Sequence, residues 1–381
     1  MKLKKSFAIL LCAVFLFSAI SAGCSTPDIP EINNGDDPLS ASDPPVVESP
    51  PAGSIDFDLA VTAFPPDTIM FKTNNLSVTW RELFGFFFSF VSNLEMYYPT
   101  GIDWSDEIAE GVSLKDFILE SSTEESLLFM IIEHAAIEMG VSLSTEDFNA
   151  INEDIDHLIA MYGTKDNFEL ALREDSGIFD MIFFERFLQI QHLQGLILTK
   201  LYGDDLSDLP DDADEFVNEH DFLMAKHILI AFSEHDDALE VAEEVLSLLT
   251  EHLDDEDFFE FFDTKMHEVS DDPGALSFPD GYLFQPHEML PQFSQATIEL
   301  EFGEMSGLVE TVHGYHIILR LPVDFDTVPI YYANSNTPPT LRQIIISEDF
   351  ESRMVRWRSE LNPVFSPEYN SIDLAAIFHL S

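Results

Sequence analysis

The hydrophobic pattern of this 381-residue chain changes once, near residue 203, and that change limits the architectures open to it. Over residues 67–205, apolar side chains recur every three or four positions, which is the period of amphipathic helices. Over residues 222–322, strand-like runs combine with short helices. The pattern predicts an α+β multidomain protein with a mostly helical domain and a compact α+β domain of about 100 residues.

The helical domain carries local start signals and two long apolar stripes. Thr79 and Glu82 have capping-box spacing before an aromatic-rich helix predicted over Leu83–Tyr98, and Lys72–Val78 is predicted as a short strand. The stripes have helical spacing and consist of Phe148, Ile151, Ile155, Leu158, Ile159 and Tyr162, then Phe183, Phe187, Ile190, Leu193, Ile197 and Leu201. Such stripes are more often core than a groove for a client chain, so the core interpretation is favoured.

The α+β domain is flanked by an acidic segment and by a final helix. Residues 206–221 contain Pro210 and are predicted as an acidic linker. The elements predicted after it are strand Phe222–Phe232, helices Asp237–Leu253, Asp257–Met266 and Pro291–Leu300, and strands Gly307–Thr311 and Tyr315–Leu321. Residues 323–381 are predicted as a connection and a helix capped by Ser347, stopped by Pro363 and carrying the apolar side chains Phe350, Met354, Trp357 and Leu361.

The N-terminus has the pattern of an export signal. A basic start precedes the apolar run Phe7–Ile20, which is shorter than the ~20 residues of a membrane-spanning helix. The stretch Ser21-Ala22-Gly23-Cys24 resembles a bacterial lipobox, which predicts a signal peptide over residues 1–23 and lipidation of Cys24; an ordinary cleaved signal is the alternative. Residues 24–66 are rich in Pro and acidic residues and are predicted to form a disordered tether.

The charge balance and the cysteines exclude several classes of function. The chain has 17 Lys+Arg against 71 Asp+Glu, a formal net charge of −54, which repels phosphate backbones and argues against a nucleic-acid partner. Its two cysteines, Cys12 and Cys24, both lie at the N-terminus, so the folded part has neither a disulfide framework nor a cysteine zinc site. The acidic run 254–257 lacks the glycine and ligand spacing of an EF-hand. No cofactor and no metal are therefore predicted.

Six stretches of residues 222–322 follow one another in a recognisable register. They are Ala225-Lys226-His227-Ile228-Leu229-Ile230, Asp257-Phe258, Ser270-Asp271-Asp272-Pro273-Gly274, Met289-Leu290-Pro291-Gln292-Phe293, Phe302-Gly303-Glu304-Met305-Ser306 and Gly314-Tyr315-His316-Ile317-Ile318. In order and spacing this segment resembles the parvulin family of peptidyl-prolyl cis–trans isomerases. The segment Phe278–Phe284 departs from the commoner Gly-Gly-Asp-Leu-Gly form of that family, so this edge of the cleft is expected to be reshaped.

The resemblance implies a set of site residues. His227 and His316 match the paired histidines at the floor of the site, Asp272 matches a Cys or Asp position, and Thr311 matches a hydroxyl near the histidines. The residues matched to substrate binding are Met289, Leu290, Phe293 and His313, of which His313 stands where the family often has Ser. A His on a strand is usually a satisfied core or surface group, and the family register is what favours the functional interpretation.

The chain as a whole resembles the PrsA-type foldase lipoproteins in the order of its lipobox, tether, helical region, parvulin-like segment and final helix. The combination of a helical region with a parvulin domain also resembles SurA. In that architecture the parvulin domain is an insertion, because the C-terminal helix returns to the helical chaperone domain. The resemblance implies an enzyme, lipid-anchored outside the cytoplasmic membrane of a bacterial cell envelope, that isomerises X–Pro bonds in unfolded secreted proteins. The alternative is a catalytically inactive holdase chaperone that binds the same clients.

Overall fold

The computed structural model describes residues 55–92, 94, 97, 98 and 101–379. The predicted signal peptide, Cys24 and the part of the predicted tether up to residue 54 lie outside the described residues. The prediction of a disordered tether is wrong for residues 55–66, because they contain the helix Phe57–Ala60 and bury Ile55 and Ala60. The chain divides into two units: a helical unit, which combines the described residues up to Asp205 with those from Ser352 on, and an α+β unit, Leu206–Glu351. Among the described helices, none combines the length and the apolar composition needed to cross a bilayer.

Helices and strands are numbered here along the chain. The described helices are α1 Phe57–Ala60, α2 Trp80–Val91, α3 Leu114–Met139, α4 Thr145–Tyr162, α5 Lys165–Ser176, α6 Met181–Tyr202, α7 Ala213–Glu219, α8 Ala238–Glu251, α9 Phe258–Val269, α10 Pro291–Glu299, α11 Leu341–Glu360 and α12 Leu374–Ile377. The strands are β1 Ile69–Lys72, β2 Ser77–Thr79, β3 Glu107–Ala109, β4 Val112–Ser113, β5 Leu223–Ala231, β6 Tyr282–Phe284, β7 Val309–Glu310, β8 Gly314–Leu321 and β9 Val364–Phe365.

The start of the helical unit confirms one local prediction and corrects two. Thr79 and Glu82 form the capping box: the amide of Thr79 donates to Glu82 Oε2 at 2.8 Å and that of Glu82 to Thr79 Oγ1 at 3.4 Å. The helix that follows ends at Val91, not at Tyr98. The predicted strand Lys72–Val78 is wrong, because Thr73 turns the chain by accepting from the amide of Leu76 at 3.1 Å, which separates β1 from β2.

The core of the helical unit is built from aromatic rings and includes the C-terminal segment. Phe378 is 2% exposed, and its ring stacks at 5.8 Å on Phe84 of α2. Strand β9 pairs antiparallel with β1, with Phe365 opposite Phe71. Of the first predicted stripe, Ile151 and Ile155 are buried in a cluster with α5 and α6, whereas Phe148 remains 42% exposed.

The α+β unit is a four-stranded antiparallel sheet with helices on both faces. The strand order is β6-β5-β8-β7. Side chains such as Ile228 and Ile230 point to α8 and α9, while Ala225 and Ile318 point to the face covered by α10. This is the α+β domain that the sequence predicts, and the overall fold class is confirmed.

The α+β unit extends further at both ends than the predicted 222–322. Residues 206–221 are more than a linker, because they contain α7, whose Ala213 is buried in a cluster with Leu341 and Ile345. Helix α11 begins at Leu341 rather than after Ser347, since Thr340 and Gln343 exchange hydrogen bonds of 3.0 and 3.4 Å in the manner of a capping box. The boundary between the two units falls inside this helix, at Ser352.

Candidate active site

The register of β5 and β8 brings the two predicted histidines together. Leu229 faces His316 and His227 faces Ile318, so the histidines lie two positions apart on one face of the sheet. Their ring centroids are 5.1 Å apart, and each residue is 6% exposed. They come from strands separated in sequence, so the pairing depends on the tertiary fold.

Helix α10 places an apolar wall against both imidazoles. The ring of Phe293 contacts His227 and His316 edge-on, with centroid distances of 5.1 and 5.5 Å. Met289 and Leu290 precede the helix and pack half-buried against the same cluster as Phe293. Three of the four residues matched to substrate binding are therefore brought together.

Asp272 reaches the site because its segment runs along the edge of β5. The amide of Asp271 donates to the carbonyl of Leu229 at 2.8 Å, and Ser270 Oγ accepts from the amide of Leu229 at 3.1 Å. Asp272 Oδ2 then lies 3.6 Å from His227 Nε2. Both groups are largely buried, so their charges are only weakly screened by water.

Thr311 contacts a histidine directly, and His313 does not. Thr311 Oγ1 and His316 Nε2 form a hydrogen bond of 2.9 Å. The backbone amide of His313 donates to the same hydroxyl at 3.2 Å, while the residue is exposed at the turn between β7 and β8. His313 therefore lies at the rim of the site.

Tyr282 is a site residue that the sequence reasoning did not name. Its hydroxyl donates to Asp272 Oδ2 at 2.5 Å, and its ring centroid is 5.5 Å from that of His227. The signal was the segment Phe278–Phe284, whose departure from the family pattern indicated a reshaped edge but not which side chain fills it.

Burial sets the ionisation of the site. It lowers the pKa of His316 to about 3, helped by the neighbouring His227 and His313 and opposed by Asp272. Burial also lowers the pKa of His227, and the charge of Asp272 opposes this shift. Burial and the bond to Asp272 raise the pKa of Tyr282, which therefore remains a hydrogen-bond donor. Both imidazoles are neutral at pH 7, so the site is suited to polarising a substrate rather than to carrying a fixed positive charge.

The helical unit contains a group of side chains with metal-ligating atoms. His134, Glu138 and Glu360 offer atoms within 4.8 Å of one another. The guanidinium of Arg356 already bonds Glu138 at 2.7 Å and Glu360 at 3.0 Å. Because Arg356 pairs with both carboxylates, we interpret the group as an exposed ion-pair network and do not assign a metal to it.

A comparison with protein families agrees with the geometry. The model of the PPIC-type PPIase domain (Rotamase) matches residues 227–321. These residues therefore form a domain of the parvulin class, and the predicted resemblance is confirmed for this part of the chain.

The chain is also similar to PrsA proteins. It is 28% identical to the foldase protein PrsA of Geobacillus sp. (strain WCH70) over 171 residues, which cover 44% of this chain and 53% of the relative. It is 28% identical to that of Halalkalibacterium halodurans over 209 residues, or 53% of this chain and 59% of the relative. The chain thus spans between half and three fifths of the length of these relatives.

Two solved PrsA structures superpose on this chain with low TM-scores. PrsA from Bacillus subtilis matches 78% of this chain and 92% of its own at 17% identity, with a TM-score of 0.25. The foldase protein PrsA from Lactococcus lactis matches 81% and 99% at 12% identity, with a TM-score of 0.30.

Proposed function

We propose that this protein is a foldase that catalyses cis–trans isomerisation of X–Pro bonds in secreted proteins outside the cytoplasmic membrane. The observation that carries the proposal is the convergence of His227, His316 and Asp272 with the apolar wall of Phe293 in a PPIC-type domain. The proteins of similar sequence carry the name foldase, which agrees with this role.

The reaction depends on how the pocket binds the substrate and does not require a chemically reactive side chain. Rotation about an X–Pro bond crosses a barrier of about 18–20 kcal/mol because amide resonance must be broken. No covalent bond forms, so a site that holds the proline ring and favours the twisted amide is sufficient. A thousandfold acceleration requires only about 4 kcal/mol of such differential binding.

Each residue has a role in this scheme. Met289, Leu290 and Phe293 hold the proline ring and exclude water, which disfavours the more polar planar amide. The neutral imidazoles of His227 and His316 present a fixed polarity to the substrate carbonyl, and Thr311 orients the ring of His316 through its hydrogen bond of 2.9 Å. The carboxylate of Asp272, 3.6 Å from His227 Nε2, favours a proton on that nitrogen by its charge.

The test is a protease-coupled prolyl-isomerisation assay on the purified protein. The wild type should accelerate isomerisation, and His227→Ala and His316→Ala should each reduce turnover while circular dichroism shows a folded protein. His267→Ala, a histidine change at an exposed position of α9, is the matched control and should retain the activity. If the wild type isomerises the peptide no faster than buffer alone but still suppresses client aggregation, the holdase alternative is favoured.

We also propose that Cys24 is lipidated and holds the protein on the outer face of the membrane, where unfolded secreted chains emerge. The support is the lipobox-like stretch before Cys24 and the short apolar run. Two acyl chains anchor a protein far better than one. Cys24→Ala should leave the protein unprocessed or release it from the membrane fraction. A mature-sized Cys24→Ala protein that stays in the membrane fraction would contradict the proposal.

A further inference from the structure

We infer that Tyr282 is a positioning residue of this site, whose hydroxyl holds the carboxylate of Asp272 beside His227. The inference rests on the proposed function of the site and deepens it. Tyr282 begins β6, which pairs with the first residues of β5, so its ring is fixed to the strand that carries His227.

One carboxylate oxygen is shared between a phenol and an imidazole. Tyr282 donates its proton to Asp272 Oδ2 at 2.5 Å, and the same oxygen lies 3.6 Å from His227 Nε2. The other oxygen, Oδ1, accepts from the amide of Gly274 at 3.2 Å. The phenol therefore fixes the oxygen that faces the imidazole, and the backbone fixes the other.

A second feature of the sequence makes room for this hydroxyl. A Cβ built on Gly274 would overlap the hydroxyl oxygen of Tyr282, so only glycine fits beside it. The backbone of Gly274 does not lie in the left-handed region, and space is thus the reason for glycine here. Phe278 packs on the ring of Tyr282 at a centroid distance of 4.8 Å and restricts its movement.

The shared oxygen couples the phenol to the imidazole electrostatically. The titratable groups that face His227 are Asp272, Tyr282 and His316, and His313 acts on His316. A carboxylate that accepts a hydrogen bond from the phenol attracts a proton on His227 less strongly than one without that donor. Removal of the hydroxyl should therefore leave His227 as the donor nearest to Oδ2 and make the imidazole more basic.

The first measurement is independent of catalysis. Histidine titrations by NMR between pH 4 and 8 compare the wild type with Tyr282→Phe and with Tyr315→Phe. Tyr315 is a matched control, since it is a half-buried tyrosine of β8 that packs on the opposite face of the sheet. In Tyr282→Phe the midpoint of His227 should rise by about 0.5–1 pH unit, with no change in the control. An unmoved or lowered midpoint would overturn the inference.

The second measurement is a double-mutant cycle on kcat/KM. Tyr282→Phe should lower kcat/KM about threefold to tenfold, the range for the net contribution of one typical hydrogen bond. In an Asp272→Ala background the same change should have no further effect, and Gly274→Ala in the native background should reproduce it. Additive losses in the cycle would show that Tyr282 acts on its own and refute the positioning role. Failure of the proposed isomerase would instead appear as an inactive wild type, with the shift of His227 still measurable.

Discussion

His227 and His316 lie diagonally across the antiparallel pair β5 and β8, with ring centroids 5.1 Å apart and Phe293 against the edges of both. Each imidazole is buried, and a charge on one would oppose a charge on the other. The pair is therefore held neutral by its surroundings. This neutrality has a thermodynamic cost at low pH that can be measured.

The first prediction concerns stability against pH. The folded-state pKa of His316, about 3, lies below the ordinary value of 6.5, so the unfolded chain binds its proton first. The stabilising difference is present above pH 6.5 and is lost as pH falls from 6.5 toward 3. His316 alone should thus lower the free energy of unfolding of the α+β unit by about 1 kcal/mol as the pH falls from 7.5 to 5.5.

The measurement is amide hydrogen exchange of β5 and β8 at both pH values, in the wild type and in His316→Gln. The glutamine variant removes the titration of His316 and keeps all other titratable groups. Its free energy of unfolding should therefore change less between the two pH values. An equal pH dependence in both proteins would contradict the lowered pKa.

Much of the site could be predicted from the sequence, because family motifs fix residues that the fold then brings together. His227, Asp272, Phe293 and His316 all came from short stretches in register, and the structure places them around one point. Tyr282 could not be found in this way, since its role depends on a hydrogen bond to a residue ten positions earlier in the chain.

The errors in the fold have local physical causes. Thr340 caps α11 about two turns before Ser347. Only the burial of Leu341 and Ile345 in the α+β unit reveals that the helix must start there. The turn that follows Thr73, at Asn74 and Asn75, separates β1 from β2 within the single strand predicted over Lys72–Val78. Periodicity predicted that these elements exist, while side-chain hydrogen bonds decided where they begin.

A second prediction tests the apolar wall. Phe293→Leu keeps a buried hydrocarbon but removes the ring that contacts both imidazoles, so kcat/KM should fall about threefold to tenfold. The control is Ile298→Ala on the same helix, where the side chain is 46% exposed and outside the cluster of Phe293. Both variants are compared with the wild type in the prolyl-isomerisation assay. Equal losses in the two variants would show that the helix, rather than the ring, matters.

A third prediction concerns the C-terminal segment. Phe378 packs against Phe57, Phe84 and Trp104, and Phe378→Ala should lower the free energy of unfolding of the helical unit by about 3–5 kcal/mol. Trp80, Trp104 and Trp357 all lie in this unit, so tryptophan fluorescence in urea reports its unfolding selectively.

Val355→Ala is the matched control for this change, because Val355 is 65% exposed. This substitution should change the free energy of unfolding by less than about 0.5 kcal/mol. The isomerase activity of both variants should remain at the wild-type level below the transition. Unchanged fluorescence melting of Phe378→Ala would show that the C-terminal segment does not support the helical unit.

The charges around the site lead to the last prediction. Leu206–Glu351 contains four basic side chains, Lys226, Lys265, Arg320 and Arg342, against 34 Asp and Glu. All four are engaged: Lys226 with Asp263, Lys265 with Glu268, Arg342 with Asp326, and Arg320 with carbonyl groups at the end of α10. Each lysine and arginine of this unit therefore already has a partner, and acidic side chains dominate its charge.

The loop after β5, which forms the rim beside the site, adds further negative charge to the α+β unit. Glu234, Asp236 and Asp237 are exposed in the loop after β5, and His235 of the same loop bonds Asp271 at 3.0 Å. A phosphoserine before proline would meet like charge there, whereas a lysine would be attracted. We expect kcat/KM to fall in the order Lys, Ala, Glu, phosphoserine for matched peptides that differ only before proline.

Salt separates this electrostatic selection from packing. The Debye length falls from about 30 Å at 0.01 M to about 8 Å at 0.15 M ionic strength, so the spread between the lysine and phosphoserine peptides should narrow at the higher salt. Charge reversal at the rim, in Asp236→Lys combined with Asp237→Lys, should narrow it further at low salt. The measurement is kcat/KM for the four peptides with both proteins at both salt concentrations. A phosphoserine peptide processed best, or a ranking indifferent to salt, would mean that the acidity of this unit serves solubility and does not select its substrates.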